Sequence, residues 1–285
     1  FSFNLEGVAL ASWIRLSGNV VIQGTQGSGK TTLLALLKPE IREAYILAKK
    51  DFPVENQFSN FISPGINFLK SGILDFGKRP IHKNIEDEED TFPLFFADFF
   101  NYYICQDLFE TIDRIYKSAA KYIDIDMSRD KISEFISYIK KEDCWFGYLS
   151  KVDSIETIIN RFLERKSIYR NFHQFNIHEI PDEICSTKTS IGEPISRIAR
   201  ALKKFSIIPE NTEIFIRVDQ IETILDSDKL RGALGNKYRR MLNSALVKRD
   251  PNISYKIGSR TYAWKKEWRT YNSNEKIEEN RSYTL

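Results

Sequence analysis

The sequence predicts an α/β fold of three layers, built on a mainly parallel sheet and interrupted by a large helical insertion. Three observations carry that expectation. A strand-like run, Asn19 to Gln23, passes through a glycine-rich turn into a helix-like run, Thr32 to Leu37; a second apolar strand, Ile214 to Val218, ends in Asp219; and helical periodicity dominates between about residues 70 and 190. Parallel strands need long crossovers, usually helices, so strand–turn–helix units predict this sheet class.

The turn is the most specific signal. Gly24-Thr25-Gln26-Gly27-Ser28-Gly29-Lys30-Thr31 matches G-x-x-x-x-G-K-[ST] at every fixed position, which is the P-loop or Walker A pattern. Its glycines let successive backbone N–H groups converge on phosphate oxygens, and the helix N-terminus adds partial positive charge there. Gly24, Gln26, Gly27, Ser28, Gly29, Lys30, Thr31 and Thr32 are therefore the candidate ATP-binding residues. Lys30 is expected to reach the β- and γ-phosphates and Thr31 to hold Mg²⁺. The competing reading is a glycine-rich turn that binds nothing.

Along the chain, Lys38-Pro39 predicts a break and Glu40 to Lys49 a short second helix. Phe61 to Phe68 reads as a strand region interrupted by Ser63-Pro64-Gly65. The acids 86–90 predict a solvated loop through mutual repulsion. Phe95, Phe99, Tyr102, Tyr103, Gln106 and Phe109 form an aromatic stripe; Ile132, Phe135, Ile136 and Ile139 form a second row. Ile155, Ile158, Ile159, Phe162 and Leu163 form a third, with Asp153 or Ser154 as N-cap. Helical spacing makes these rows core rather than a platform for stacking bases. Ile195, Ile198, Leu202 and Phe205 predict one more amphipathic helix, and about Lys229 to Leu246 another, whose Lys237, Arg239 and Arg240 read as its solvated face, with a trans-acting arginine finger or phosphate contacts as the alternative.

The strand Ile214-Phe215-Ile216-Arg217-Val218-Asp219 supplies the acid a P-loop enzyme needs on its Mg²⁺ side. Asp219 is the second candidate metal residue beside Thr31. Gln220 follows where many such ATPases carry a catalytic glutamate, so Glu222 is the candidate for orienting the attacking water. Arg217 interrupts the apolar run without a sequence-level explanation. Asn252 to Arg260 reads as a strand; placed between the two motif strands, it would aim Ser259 or Arg260 at the γ-phosphate. The candidate catalytic residues are thus Lys30, Glu222 and Arg260.

Taken together, Gly24 to Thr32, Val218-Asp219-Gln220-Ile221-Glu222 and a strand ending Gly258-Ser259-Arg260 resemble the AAA+-like and STAND ATPases, particularly the bacterial ORC/Cdc6-like ATPases. The resemblance implies an acid-Gln-apolar-Glu Walker B, a sensor arginine at Arg260, oligomerisation or an effector partner, and a setting in anti-phage defence or signalling. It covers the two ends of the chain well and its middle poorly. The organisation expected is an N-terminal part of the NTPase core at 1–69, a helical insertion at 70–190, and a C-terminal part of the core at 191–285, with no helical lid after Arg260. An ABC/SMC-like ATPase is a rival reading, because Ser190-Ile191-Gly192-Glu193 loosely resembles that signature, although it lacks the second glycine and the switch histidine. A nucleotide-gated scaffold that does not hydrolyse ATP is another, motivated by Gln220.

Bulk composition excludes more than it identifies. With 42% hydrophobic residues the 285-residue chain can build a sizeable core, and 42 basic against 39 acidic side chains give no argument for a dedicated nucleic-acid surface. Cys105, Cys144 and Cys185 are isolated, which fits a reducing, cytoplasmic compartment better than a disulfide framework. No export signal and no membrane span is expected, and the opening Phe1 suggests a fragment. His173 and His178 lack partners at metal-ligand spacing, so no metal beyond Mg²⁺ is expected, and Trp264 and Trp268, four apart, are expected to pack together.

Overall fold

Burial runs almost unbroken along the central strands, so both faces of the sheet are covered, which is why the architecture has helices on each side. The computed structural model describes residues 18–52, 60–75, 85–174, 180–226, 234–263, 269–271 and 281–284. Strand β1 (Val20–Gly24) leads into α1 (Lys30–Ala35) and α2 (Pro39–Leu47), which starts at the proline that marked the break. Strands β2 (Phe61–Ile62) and β3 (Gly65–Asn67) are two pieces of one edge, separated at Ser63-Pro64, and α3 (Phe68–Ser71) follows. Helices α4 (Ile85–Lys117), α5 (Arg129–Ile139), α6 (Ile155–Gln174), α7 (Asp182–Ser186) and α8 (Glu193–Lys204) come next. The chain then forms β4 (Glu213–Asp219), α9 (Thr223–Asp226), α10 (Leu234–Val247), β5 (Ser254–Arg260) and β6 (Arg281–Thr284).

The main path through the sheet runs β2, β4, β5, β1, β6, with β3 also on β4, and each pairing is parallel. As expected for an additional-strand P-loop fold, β5 lies between β1 and β4. Val20, Ile22 and Phe215 pack with Leu33, Leu34 and Leu37 on one face. Val21, Ile214, Ile216 and Val218 point the other way, into a larger core shared with α4, α6, α8 and α10. The fold is therefore the three-layer α/β P-loop class.

Two local expectations need correction. The acids 86–90 are the opening turns of α4 rather than a loop. A helix N-terminus favours nearby negative charge through its unpaired amides and its dipole, which a repulsion argument leaves out. Leu163 is 44% exposed, because α6 turns Phe162, Arg165, Lys166 and Tyr169 inward instead. Elsewhere the stripes are core: Tyr102 packs edge-on against Trp145, Tyr148 and Phe162. Ser154 caps α6, its hydroxyl accepting from Thr157 N at 3.1 Å while Thr157 Oγ1 accepts from Ser154 N at 3.0 Å. Strand β6 is an addition that the sequence reading did not anticipate, and Trp264 and Trp268 lie outside the described residues.

The helical region is pinned by a buried ion pair. Asp98 on α4 accepts from Arg165 Nε at 2.6 Å, Tyr169 Oη at 2.7 Å, Thr189 N at 2.7 Å and Thr189 Oγ1 at 2.8 Å. Arg165 spends its other donors on Thr187 Oγ1, Thr187 O and Ile184 O, and both charged side chains are fully buried. Burial works against the charged guanidinium, yet Asp98, Tyr102 and Tyr169 outweigh it and hold Arg165 above its ordinary range. One turn on, Asn101 donates to Ser190 O and Thr189 Oγ1 and accepts from Gly192 N at 2.7 Å. That set of bonds fixes where α8 begins, and it gives the Ser190–Glu193 segment a structural role. Removing one partner strands a buried charge, so Arg165→Ala should lower unfolding free energy by about 3–5 kcal/mol in urea titrations.

Lys166 is a second buried charge. It donates to Gln106 Oε1 at 2.6 Å and lies 4.1 Å from the Tyr103 ring centroid, and burial lowers its pKa to about 8, with Glu110 and Asp107 opposing. Below that value the amine is protonated in folded and unfolded chains alike, and its burial penalty is fully present. Above it the folded state releases the proton before the unfolded state does, so this contribution raises stability as pH climbs from about 8 toward 10. Denaturant titrations across that window should show the rise in wild type, and Lys166→Met should flatten it.

Candidate functional site

Every strand of a parallel sheet ends at the same edge, and that edge gathers the motif residues. β1 leads into a loop in which Gly27 and Gly29 have φ of 83° and 90°, a left-handed region that glycine enters without a Cβ clash. Gly24 is buried at the strand end, Gln26 and Gly27 are exposed, and Ser28 and Gly29 are half-buried before α1 presents Thr31 and Thr32 to solvent. Lys30 is buried, and its Nζ crosses back over the loop to donate to Gly24 O at 2.9 Å and Thr25 O at 2.6 Å, with Ser28 Oγ at 3.4 Å.

Asp219 closes β4 beside this loop. Thr31 Oγ1 donates to its Oδ1 at 3.3 Å, Gln220 N donates to the same oxygen at 3.0 Å, and Asn67 Nδ2 donates to Oδ2 at 3.3 Å. The two motifs, 188 residues apart at that contact, meet at one carboxylate. Gly258 on β5 makes room: a Cβ there would lie 2.8 Å from Leu34 Cδ1 and 3.1 Å from Asp219 Oδ1.

Gln220 then takes a left-handed φ of 60°, and its carbonyl accepts from Thr223 Oγ1 and Thr223 N as α9 starts. This turn brings Glu222 back under the edge, 6% exposed, with Oε1 3.3 Å from Arg260 Nε. Its Oε2 is buried with no hydrogen-bond partner among the described residues. Arg260 ends β5 in register with Gly24 and also donates to Tyr262 Oη at 3.4 Å. Ser259, the other sensor candidate, is buried with its hydroxyl on Arg260 O, which leaves Arg260 as the polar group reaching outward.

The edge also holds residues the sequence reading missed. Asn67 carried a signal in principle, because a polar side chain ending β3 falls opposite Asp219 in the parallel register. Arg217, unexplained before, donates from Nε to Ser63 O at 2.9 Å and Ser63 Oγ at 3.1 Å, clamping the break between β2 and β3 onto β4. Burial lowers its pKa, against the pull of Asp107. A cavity of about 330 Å³ opens beside Asp219, walled by Thr31, Asn67 and Arg217 and by Tyr103, Asp107 and Thr111 of α4.

Arg240 Nε donates to Thr270 O at 3.1 Å and Arg239 to Asn236, so both are used within the chain. No group of three or more His, Cys, Asp and Glu with metal-site geometry occurs among the described residues, and His178 lies outside them. No helix among the described residues is long and apolar enough to cross a membrane.

A carboxylate and a hydroxyl side by side suit a hard divalent cation, and a buried lysine that donates to loop carbonyls and a serine hydroxyl suits exchange for phosphate oxygens. The family model described as ORC-CDC6-like matches residues 12–285. No curated protein and no solved structure matches the chain at a significant level. Gly258→Ala should cost about 1–3 kcal/mol, read in urea titrations, because its added methyl meets Leu34 and the Asp219 carboxylate.

Proposed function

Because this chain belongs to the ORC-CDC6-like family, we propose that it binds ATP with Mg²⁺, hydrolyses it, and couples nucleotide state to conformational change or assembly. The observation that carries the reading is the contact of Thr31 with Asp219, which puts the glycine loop and the acid of β4 at one corner. In this reading the amides from Gly24 to Thr32 and the Lys30 amine hold the phosphates, with Gln26, Gly27, Ser28 and Gly29 forming the wall of the cradle. Thr31 and Asp219 hold Mg²⁺, which supplies charge neutralisation at the phosphate oxygens. Glu222 orients the attacking water, and Arg260 contacts the γ-phosphoryl from the end of β5. Residues 70–190 are the helical insertion between the two parts of the core, 1–69 and 191–285.

A binding scaffold with little turnover is the second reading. The pairing of Glu222 with Arg260 favours it, since each neutralises the other, and Gln220 stands where a glutamate is common. We place the protein in bacterial anti-phage defence or signalling, acting as a homo-oligomer or with an effector protein, on the resemblance alone. Loss of plaque reduction in a Lys30→Ala strain is the expected result for a defence role.

Fluorescent-nucleotide titration and steady-state turnover separate the two biochemical readings. Lys30→Ala should abolish nucleotide binding, whereas Glu222→Gln should keep binding and lose turnover by about 10²–10⁴-fold. Equal background turnover in wild type and both variants, with binding retained in wild type, selects the scaffold.

A further inference from the structure

We propose that Asp107, on the insertion helix α4, is a positioning residue for the Asp219 corner and acts through the short strand β3. This rests on the nucleotide-site reading above. Asp107 Oδ2 accepts from Gly65 N at 2.6 Å, and the Arg217 Nη2 lies 3.8 Å from the same oxygen. Gly65 is pressed against β4 as closely as backbone allows: a Cβ there would sit 2.6 Å from Arg217 Cβ and 2.8 Å from Arg217 O. The carboxylate of the insertion therefore holds one end of β3 in register.

The other end of β3 carries the metal corner. Asn67 donates to Asp219 Oδ2, while its own Oδ1 caps α3 by accepting from Lys70 N at 3.2 Å. Both polar ends of the amide are engaged, so its orientation follows the backbone of β3. Gly65, Ile66 and Asn67 lie opposite Arg217, Val218 and Asp219, and the pleat spans only about 7 Å between the two ends. A displacement at Gly65 has no loop in which to dissipate before it reaches Asn67. Tyr103, Asp107 and Thr111 also wall the cavity that opens onto Thr31 and Asp219, so the insertion borders the corner directly. Burial pushes Asp107 above the usual carboxylate range, and the Gly65 amide and Arg217 offset part of that.

The test is the Mg²⁺ concentration at which the full chain half-maximally binds a fluorescent ATP analogue, beside metal-free affinity for ADP and the thermal midpoint. Asn67→Ala and Asp107→Ala should each raise the Mg²⁺ midpoint about fivefold and leave metal-free ADP affinity unchanged, a split that general loosening would not produce. The double variant should shift no further than the larger single one, because both lie on one path. Asp107→Asn keeps an oxygen for Gly65 N and should restore most of the wild-type midpoint. If Asp107→Ala does not fold, Asp107→Ser, too short to reach Gly65, carries the same test.

Multiplicative shifts in the double variant, or an unchanged midpoint in Asp107→Ala or Asp107→Ser, overturn the proposal. Lys30→Ala separates it from the site reading. Normal nucleotide binding by Lys30→Ala sinks the site itself, whereas lost binding there with wild-type midpoints in the Asn67 and Asp107 variants sinks only the relay.

Discussion

Parallel pairing is the constraint on which the rest of this molecule depends. It sends the C-terminal ends of β1, β3, β4 and β5 to one edge, so Gly24, Asn67, Asp219 and Arg260 come together although the chain separates them widely. Loops at such an edge expose backbone amides without competition from neighbouring strands. The glycines after β1 and the left-handed Gln220 after β4 are both departures from ordinary backbone, and both occur at this edge.

The helical region is not a passive addition to that sheet. Asp98, Arg165 and Tyr169, all buried, tie α4 to α6 and to the segment before α8, and Asn101 extends the same set of bonds to Gly192. Buried charge of this kind is costly unless satisfied throughout, and here Arg165 meets Asp98, Thr187 and Ile184. The result is a stiff unit whose α4 also reaches the sheet at Gly65.

Much of this was legible from residues alone because it depends on local rules. The P-loop and the acid ending β4 follow from spacing, strand pattern and turn chemistry, whereas the place of β5 is a condition borrowed from related P-loop folds; the structure brings Thr31 to Asp219 and Arg260 to Glu222. What could not be read depends on long-range partners. Arg165 and Lys166 look like solvent-facing charges on an amphipathic helix, and only Asp98 and Gln106 on α4 explain their burial. Arg217 made no sense in an apolar strand until Ser63 and Pro64 were seen to break the neighbouring edge. The acids opening α4 defeated a repulsion argument because the helix terminus they belong to was not itself recognised.

The register between β1 and β5 has a bearing on how the chain folds. Val20 lies alongside Lys256 and Gly24 alongside Arg260, so β1 gains its central neighbour only after almost everything between has been synthesised. Closing so long a loop is entropically slow, whereas the contacts within the helical region are comparatively local. An early strand held waiting exposes its apolar edge in the meantime, and the helices between serve as the first folded body against which the sheet can later assemble.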